Sequence, residues 1–224
     1  MKRTLLLLLI LGCYGSSIAQ QGFSIGLRFS PIFSFASITD DDGNTPVGLE
    51  TSSKVGLSYG LNLHYGITDN YGFKSGVHIV NKGFKREQMI DAVMAVQDIR
   101  MTTVEIPLAL KGRSNEVGNG LFINGQFGIS ADFRAGYRNE FSGVNPIPGG
   151  TGDSGTSKNT KFLNPLAFTF IFGVGGEKVI DRVGTINFGI IYHQGLTNVN
   201  NKDNFMNNEN IKIRYISLDL GYFF

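Results

Sequence analysis

His64, His78 and His193 are the histidines of this chain, and an imidazole is the side chain best suited to move a proton near neutral pH. Each falls on the small, polar face of an alternating segment, so a histidine-assisted hydrolase or acyltransferase is the first chemistry to weigh. The spacing argues against it. His64 sits near one end of its segment, His193 near the opposite end of another, and His78 above the middle of a third. Three rings at three heights do not meet at one atom. Gly22-Phe-Ser-Ile-Gly26 and Gly56-Leu-Ser-Tyr-Gly60 have the Gly-x-Ser-x-Gly spelling, but both lie inside alternating segments rather than at a strand-to-helix turn, so neither is a nucleophile elbow. We read the histidines as interior filler, assign no catalytic residue and expect no enzyme.

Eight charges share that polar face. Arg28, Lys74, Lys111 and Arg134 are the bases, and Glu105, Asp132, Glu177 and Asp219 the acids. Buried charges cost several kcal/mol each unless paired, so four against four reads as a salt-bridged plug, with a narrow ion path as the rival. Asp40, Asp41, Asp42 and Asn44 could offer oxygen to calcium. The order fails, because Gly43 comes too early and no late Glu follows, so a solvated turn is the reading and no metal ligand is assigned. Gly173, Gly175 and Gly176 lie inside a strand pattern rather than between strand and helix, so they make no dinucleotide fingerprint. No cofactor is expected. Cys13 is the one cysteine. It closes Ile10-Leu11-Gly12-Cys13, a degenerate lipobox, yet small residues downstream favour ordinary cleavage that removes it.

The elements that must hold these side chains are strands. Eight segments alternate with period two: about 22–35, 54–67, 71–82, 101–112, 121–135, 162–180, 185–197 and 215–224. The second is the cleanest, with Val55, Leu57, Tyr59, Leu61, Leu63, Tyr65 and Ile67 against Gly56, Ser58, Gly60, Asn62, His64 and Gly66. The last sets Ile216, Leu218, Leu220, Tyr222 and Phe224 against Ser217, Asp219 and Gly221. Such a bare apolar strand is a sticky edge unless it closes onto the first strand and faces lipid. Alternation also marks soluble barrels, whose apolar face points inward. Here the second face carries Gly, Ser, Asn and scattered charges rather than many Lys and Glu, which suits a packed lumen.

The connections alternate in length. Residues 68–70, 113–120 and 181–184 are short; 39–53, 83–100, 136–161 and 198–210 are long. Outer-membrane barrels have short periplasmic turns and longer outside loops, and an even strand count puts both termini on the periplasmic side. The second long connection lacks Gly and Pro over 86–98, so it forms a short helix or extends its strands. The third, Gly/Pro/Ser-rich over 143–158, reads as mobile. Residues 1–20 have the form of a cleaved secretory signal, with Lys2 and Arg3 before an apolar run too short to span a bilayer as a helix. Residues 21–224 form one barrel domain. Lys plus Arg number 20 and Asp plus Glu 18. Without Lys2 and Arg3 the chain is formally neutral, which argues against nucleic acid as a partner. Thirty glycines and eighteen phenylalanines suit crowded interiors and lipid faces.

Thr103-Val-Glu-Ile-Pro-Leu-Ala-Leu-Lys111 resembles a strand of the PorT-like outer-membrane β-barrel family. Phe122 to Ile129, Ile191 to Asn198 and the terminal Leu218 to Phe224 are similar to later segments of that family. The resemblance implies an all-β, eight-stranded antiparallel up-and-down transmembrane β-barrel, and no single function. We expect an integral protein of the bacterial outer membrane, in contact with its lipid and acting through long outside loops in structure or surface presentation. An accessory role with envelope or secretion-system proteins is the runner-up; an outer-membrane enzyme is the third reading.

Overall fold

The computed structural model describes residues 22–90, 93–143, 154–158, 163–201 and 209–224. The expected signal, residues 1–20, lies outside them. Nine strands form: β1 Phe23–Thr39, β2 Leu49–Gly66, β3 Tyr71–Ile90, β4 Val93–Arg113, β5 Leu121–Ser142, β6 Ser154–Ser157, β7 Leu166–Ile180, β8 Gly184–Gly195 and β9 Asn210–Phe223. Eight of them close a ring in which β1 pairs with both β2 and β9, and β4 pairs with β5. All pairings are antiparallel between neighbours in sequence, apart from the closing β1–β9 pair and the step from β5 to β7. The short β6 lies on the upper end of β5. The architecture is the expected eight-stranded up-and-down barrel. Short turns and the start of β1 mark the terminal end; the opposite end we call distal.

Alternation decides which side each residue takes. On β1, Phe23, Ile25, Leu27, Phe29 and Phe33 point outward and are exposed, while Arg28, Ser30 and Ser34 point inward and are buried. Leu61 on β2, Leu108 on β4, Phe170 on β7 and Leu218 on β9 belong to the same exposed apolar belt. Gly60 shows why small residues occupy the inner face. It stands between Arg28 and His78 in register, and a Cβ there would lie 2.1 Å from the Val77 carbonyl oxygen.

Toward the distal end the pattern inverts. Ala36, Ile38, Phe84, Ile99, Met101, Tyr137, Leu163, Ile211 and Ile213 form an apolar cluster inside the barrel. Their neighbours along the strands, such as Lys85, Arg100, Arg138 and Lys212, point outward. Ile32, Val80 and Tyr215 make a small apolar layer between the two regimes.

This inversion corrects several boundaries. β3 and β4 do not stop at 82 and 101 but run on through the second long connection, pairing as far as Ile90 and Val93. Strand extension is thus the outcome there, and residues 91–92 lie outside the described ones. β5 passes residue 135 and reaches Ser142, because a register shift against Thr102 and Thr103 leaves Ala135 unpaired. That bulge flips the phase: Asp132 is buried below it, and Tyr137, Asn139 and Phe141 above. β7 starts at Leu166 rather than 162, with Leu163 bridging Asn200 instead. Part of the segment expected to be mobile, 154–157, is strand β6; residues 144–153 and 202–208 lie outside the described ones. β2 leaves β1 above Ser34 and Lys54 and shifts register against β3 between Ser53 and Leu57. The Ser34 hydroxyl fills this irregularity: it donates to the Gly83 carbonyl (2.6 Å) and accepts from the Gly83 N–H (3.0 Å).

Candidate functional site in the barrel interior

The interior is layered, and each layer is assembled from strands distant in sequence. Nearest the terminal end, Lys111 on β4 pairs with Glu177 on β7. Arg113 reaches the other Glu177 oxygen at 3.0 Å and lies over the Phe122 ring, 4.5 Å from its centroid. His64 stands beside this layer and lines a cavity of about 470 Å³ that also meets Asn70, Arg113, Arg182 and Phe223.

Asp219 on β9 centres the second layer. It accepts from Arg28 Nε at 2.5 Å and from Ser30 at 3.0 Å, and Lys74 lies at 3.3 Å. Arg28 also donates to His78 Nδ1 (2.8 Å). A guanidinium has no acceptor, so that nitrogen must be the bare one and His78 Nε2–H donates to Asn62 Oδ1 (2.9 Å). Arg28 donates further to the Ser217 hydroxyl (3.3 Å), which lies 3.4 Å from His193 Nε2. His193 in turn stacks on Tyr215 with ring centroids 3.9 Å apart.

Tyr215 leads to the third layer by donating to Glu105 at 2.5 Å. Lys82 bridges Glu105 (2.7 Å) and Asp132 (3.0 Å). Thr103 completes the Glu105 shell, and Ser130 and Thr169 that of Asp132. Glu105 is 1 % exposed. Above the apolar cluster, Arg86 holds Glu209 through two bonds of 2.6 and 3.0 Å.

Among the described residues the buried charges number five bases and five acids. The expected set is right for Arg28, Lys74 and Lys111 and for all four acids. Arg134 is the exception: its guanidinium meets the Leu163 carbonyl and, among the described residues, no acid. Lys82 takes the role given to Arg134. On β3 it follows the same inward phase as Lys74 and His78 and is buried. The Arg86–Glu209 pair escaped sequence reasoning altogether, because Glu209 falls in a connection with no strand phase to read.

The histidines come closer than their spacing suggested. His64 stays apart at the terminal end, but His78 and His193 both reach the Arg28–Ser217 pair. This does not make a catalytic line. Ser217 and His193 are buried, and among the described residues His193 Nδ1 has no hydrogen-bond partner to orient the ring. Asp40 spends its groups on a turn, accepting from the Asn44 and Gly43 N–H groups. Among the described residues no three His, Cys, Asp or Glu side chains gather as metal ligands do.

A closed ring with an apolar exterior belt and a charged, paired interior is the inside-out arrangement of a membrane barrel. The family model described as "Outer membrane protein beta-barrel domain" matches residues 18–201. The chain belongs to this outer-membrane β-barrel family. Its place is therefore the bacterial outer membrane. No curated protein matches it in sequence. Among solved structures it is similar to Neisserial surface protein A, with 13% identity, 91% of this chain and 100% of that one covered, and a TM-score of 0.44. It is also similar to OprG of Pseudomonas aeruginosa (13% identity, 93% and 99% covered, TM-score 0.45). A third is Ail, the attachment invasion locus protein of Yersinia pestis (12% identity, 92% and 100% covered, TM-score 0.37). No helix among the described residues is long and apolar enough to cross a membrane; this family crosses with strands.

Proposed function

We propose that this protein is a non-catalytic outer-membrane barrel whose lumen is shut and whose distal end is a display surface outside the cell. Export by a cleaved leader, residues 1–20, belongs to the same reading. The observation that carries it is the interior. Ion pairs and an apolar cluster stack from one end to the other, so transport through the bore is not what this wall is built for. The working surface is then the distal end, where β3, β4 and β5 outrun the belt and the connections after β1, β5 and β8 lie. Loops held on a rigid scaffold are where recognition is built. Protease added to intact cells should cut within residues 143–158 and spare 68–70. Cleavage only after the outer membrane is opened would reverse the orientation and end this reading.

A second reading, an accessory component of an envelope or secretion assembly, is favoured by the cavity at the terminal end. It opens toward the periplasm in this orientation and is large enough for a few side chains of a partner. Gentle solubilisation would test it: a periplasmic protein that co-purifies, and is lost on Arg113→Ala, would favour the accessory role.

A further inference from the structure

The outward cations of the distal half differ in one respect. Arg138 lies 2.7 Å from Glu140, Lys85 lies 2.5 Å from Glu87, and Arg100 and Lys54 both reach Asp98. Lys212 and Arg214 on β9 have no ion-pair or hydrogen-bond partner among the described residues. Arg214 Nε is moreover buried with its proton undonated, a state that costs free energy unless a ligand relieves it. The two side chains are neighbours on one face, about 7 Å apart along the strand. Around them stand Ser37 and Phe35 of β1 and Gln194 of β8, directly across in register. None of these is acidic. β9 is paired with β1 at both residues and with β8 as far as Arg214, so the Arg214 charge is not needed to guard a free edge.

Their height identifies the occupant. On β9 the outward residues Ile216, Leu218 and Leu220 belong to the exposed apolar belt, and Arg214 is the next outward residue above it. Tyr192 holds the same boundary on β8, with its hydroxyl donated to Gln194 at 2.7 Å. A cationic pair at the top of the hydrocarbon, flanked by hydroxyl and amide groups, faces the head-group layer. We propose that Lys212 and Arg214 bind a phosphate of the outer-leaflet glycolipid, lipid A. This rests on the orientation proposed above, with the distal end outside.

The test uses the folded full-length barrel in non-ionic micelles, titrated with bisphosphorylated lipid A, with bound lipid read by native mass spectrometry. Each cation near an anionic lipid surface contributes about five-fold at low salt. Lys212→Ala with Arg214→Ala should therefore weaken binding by about twenty-five-fold. Raising the salt should weaken the wild type, and dephosphorylated lipid A should bind no better than the double variant binds the intact lipid. Arg100→Ala with Arg138→Ala, which removes paired cations, should change little. Unchanged retention by a folded double variant would overturn the site, as would equal binding of dephosphorylated lipid A. Full displacement by inorganic phosphate at lipid concentrations would overturn the lipid assignment. Orientation is read separately, by labelling Asn44→Cys in intact cells with a membrane-impermeant maleimide. Labelling only after the membrane is opened would discard the outer-leaflet ligand, even where the micelle titration shows binding.

Discussion

Glu105 bears the greatest consequence of any single interior residue. It accepts from Lys82, Tyr215 and Thr103, and its removal leaves an ammonium and a phenol without their common acceptor. Breaking a buried pair from one side costs roughly 3–5 kcal/mol. Lys82 keeps Asp132, so we expect Glu105→Ala to fall at the low end of that range. The heat-induced shift of the folded band in detergent should move to lower temperature, and Glu105→Gln, which keeps an acceptor, should move it less. An unchanged transition in Glu105→Ala would mean that the third layer contributes little. At this scale the sequence revealed which side chains face inward, since alternation fixes a face. It did not reveal who meets whom. Arg28 reaches His78 across β2, and Asp219 reaches Lys74 across β1 and β2, contacts that depend on the stagger between strands. Arg134 was mispaired for the same reason, because a bulge at the next residue, Ala135, accompanies a guanidinium turned to the Leu163 carbonyl.

At the scale of a strand, the outward residues divide into lipid-facing and water-facing sets. Leu108 on β4 belongs to the belt and is 57 % exposed. Leu108→Arg should destabilise the barrel by about 2–4 kcal/mol near the midplane, falling toward zero at the interfaces. Met89 on β3 is equally exposed, at 58 %, but lies near the tip of the β3–β4 hairpin. Met89→Arg should be nearly silent in the same denaturant titration in lipid vesicles. Equal losses at both positions would show that the belt is drawn in the wrong place. The lower half of each strand was legible because apolar residues hold one phase there. The upper half was not. Beyond Lys82 the apolar residue is Phe84, on the inward face, and the polar ones, Lys85 and Glu87, turn outward. A reader following one apolar face sees the pattern break and ends the strand, although the backbone continues.

For the whole molecule, eight strands enclose a bore that side chains can fill, and here charged layers and an apolar cluster fill it. We expect no steady conductance from pure protein in a planar bilayer. Reproducible single-channel steps would require a continuous wet path past Lys82, Tyr215 and Phe84, and would displace the closed-lumen reading. The ring, the strand order and the direction of closure were legible from eight periodic segments and alternating connection lengths. The excursion through β6 between β5 and β7 was not, because Ser154–Ser157 has no apolar rhythm and exists only as an addition to β5.

The exchange of inside and outside along the strands also sets the protein's draught. A uniform apolar belt could ride up or down with the thickness of its bilayer. This one is bounded by arginine and lysine immediately above, and the interior beneath those cations changes character at the same level. Rising by one pleat pair, about 7 Å along a strand, would wet a row of phenylalanines; sinking by as much would carry Arg100, Arg138 and Arg214 into hydrocarbon. The barrel is therefore held at one depth, and a membrane of another thickness must stretch or pinch around it. Such a collar of distorted lipid costs less when two barrels share it. Crowding into patches is then a property of the lipid around this molecule, requiring no contact between one barrel and the next.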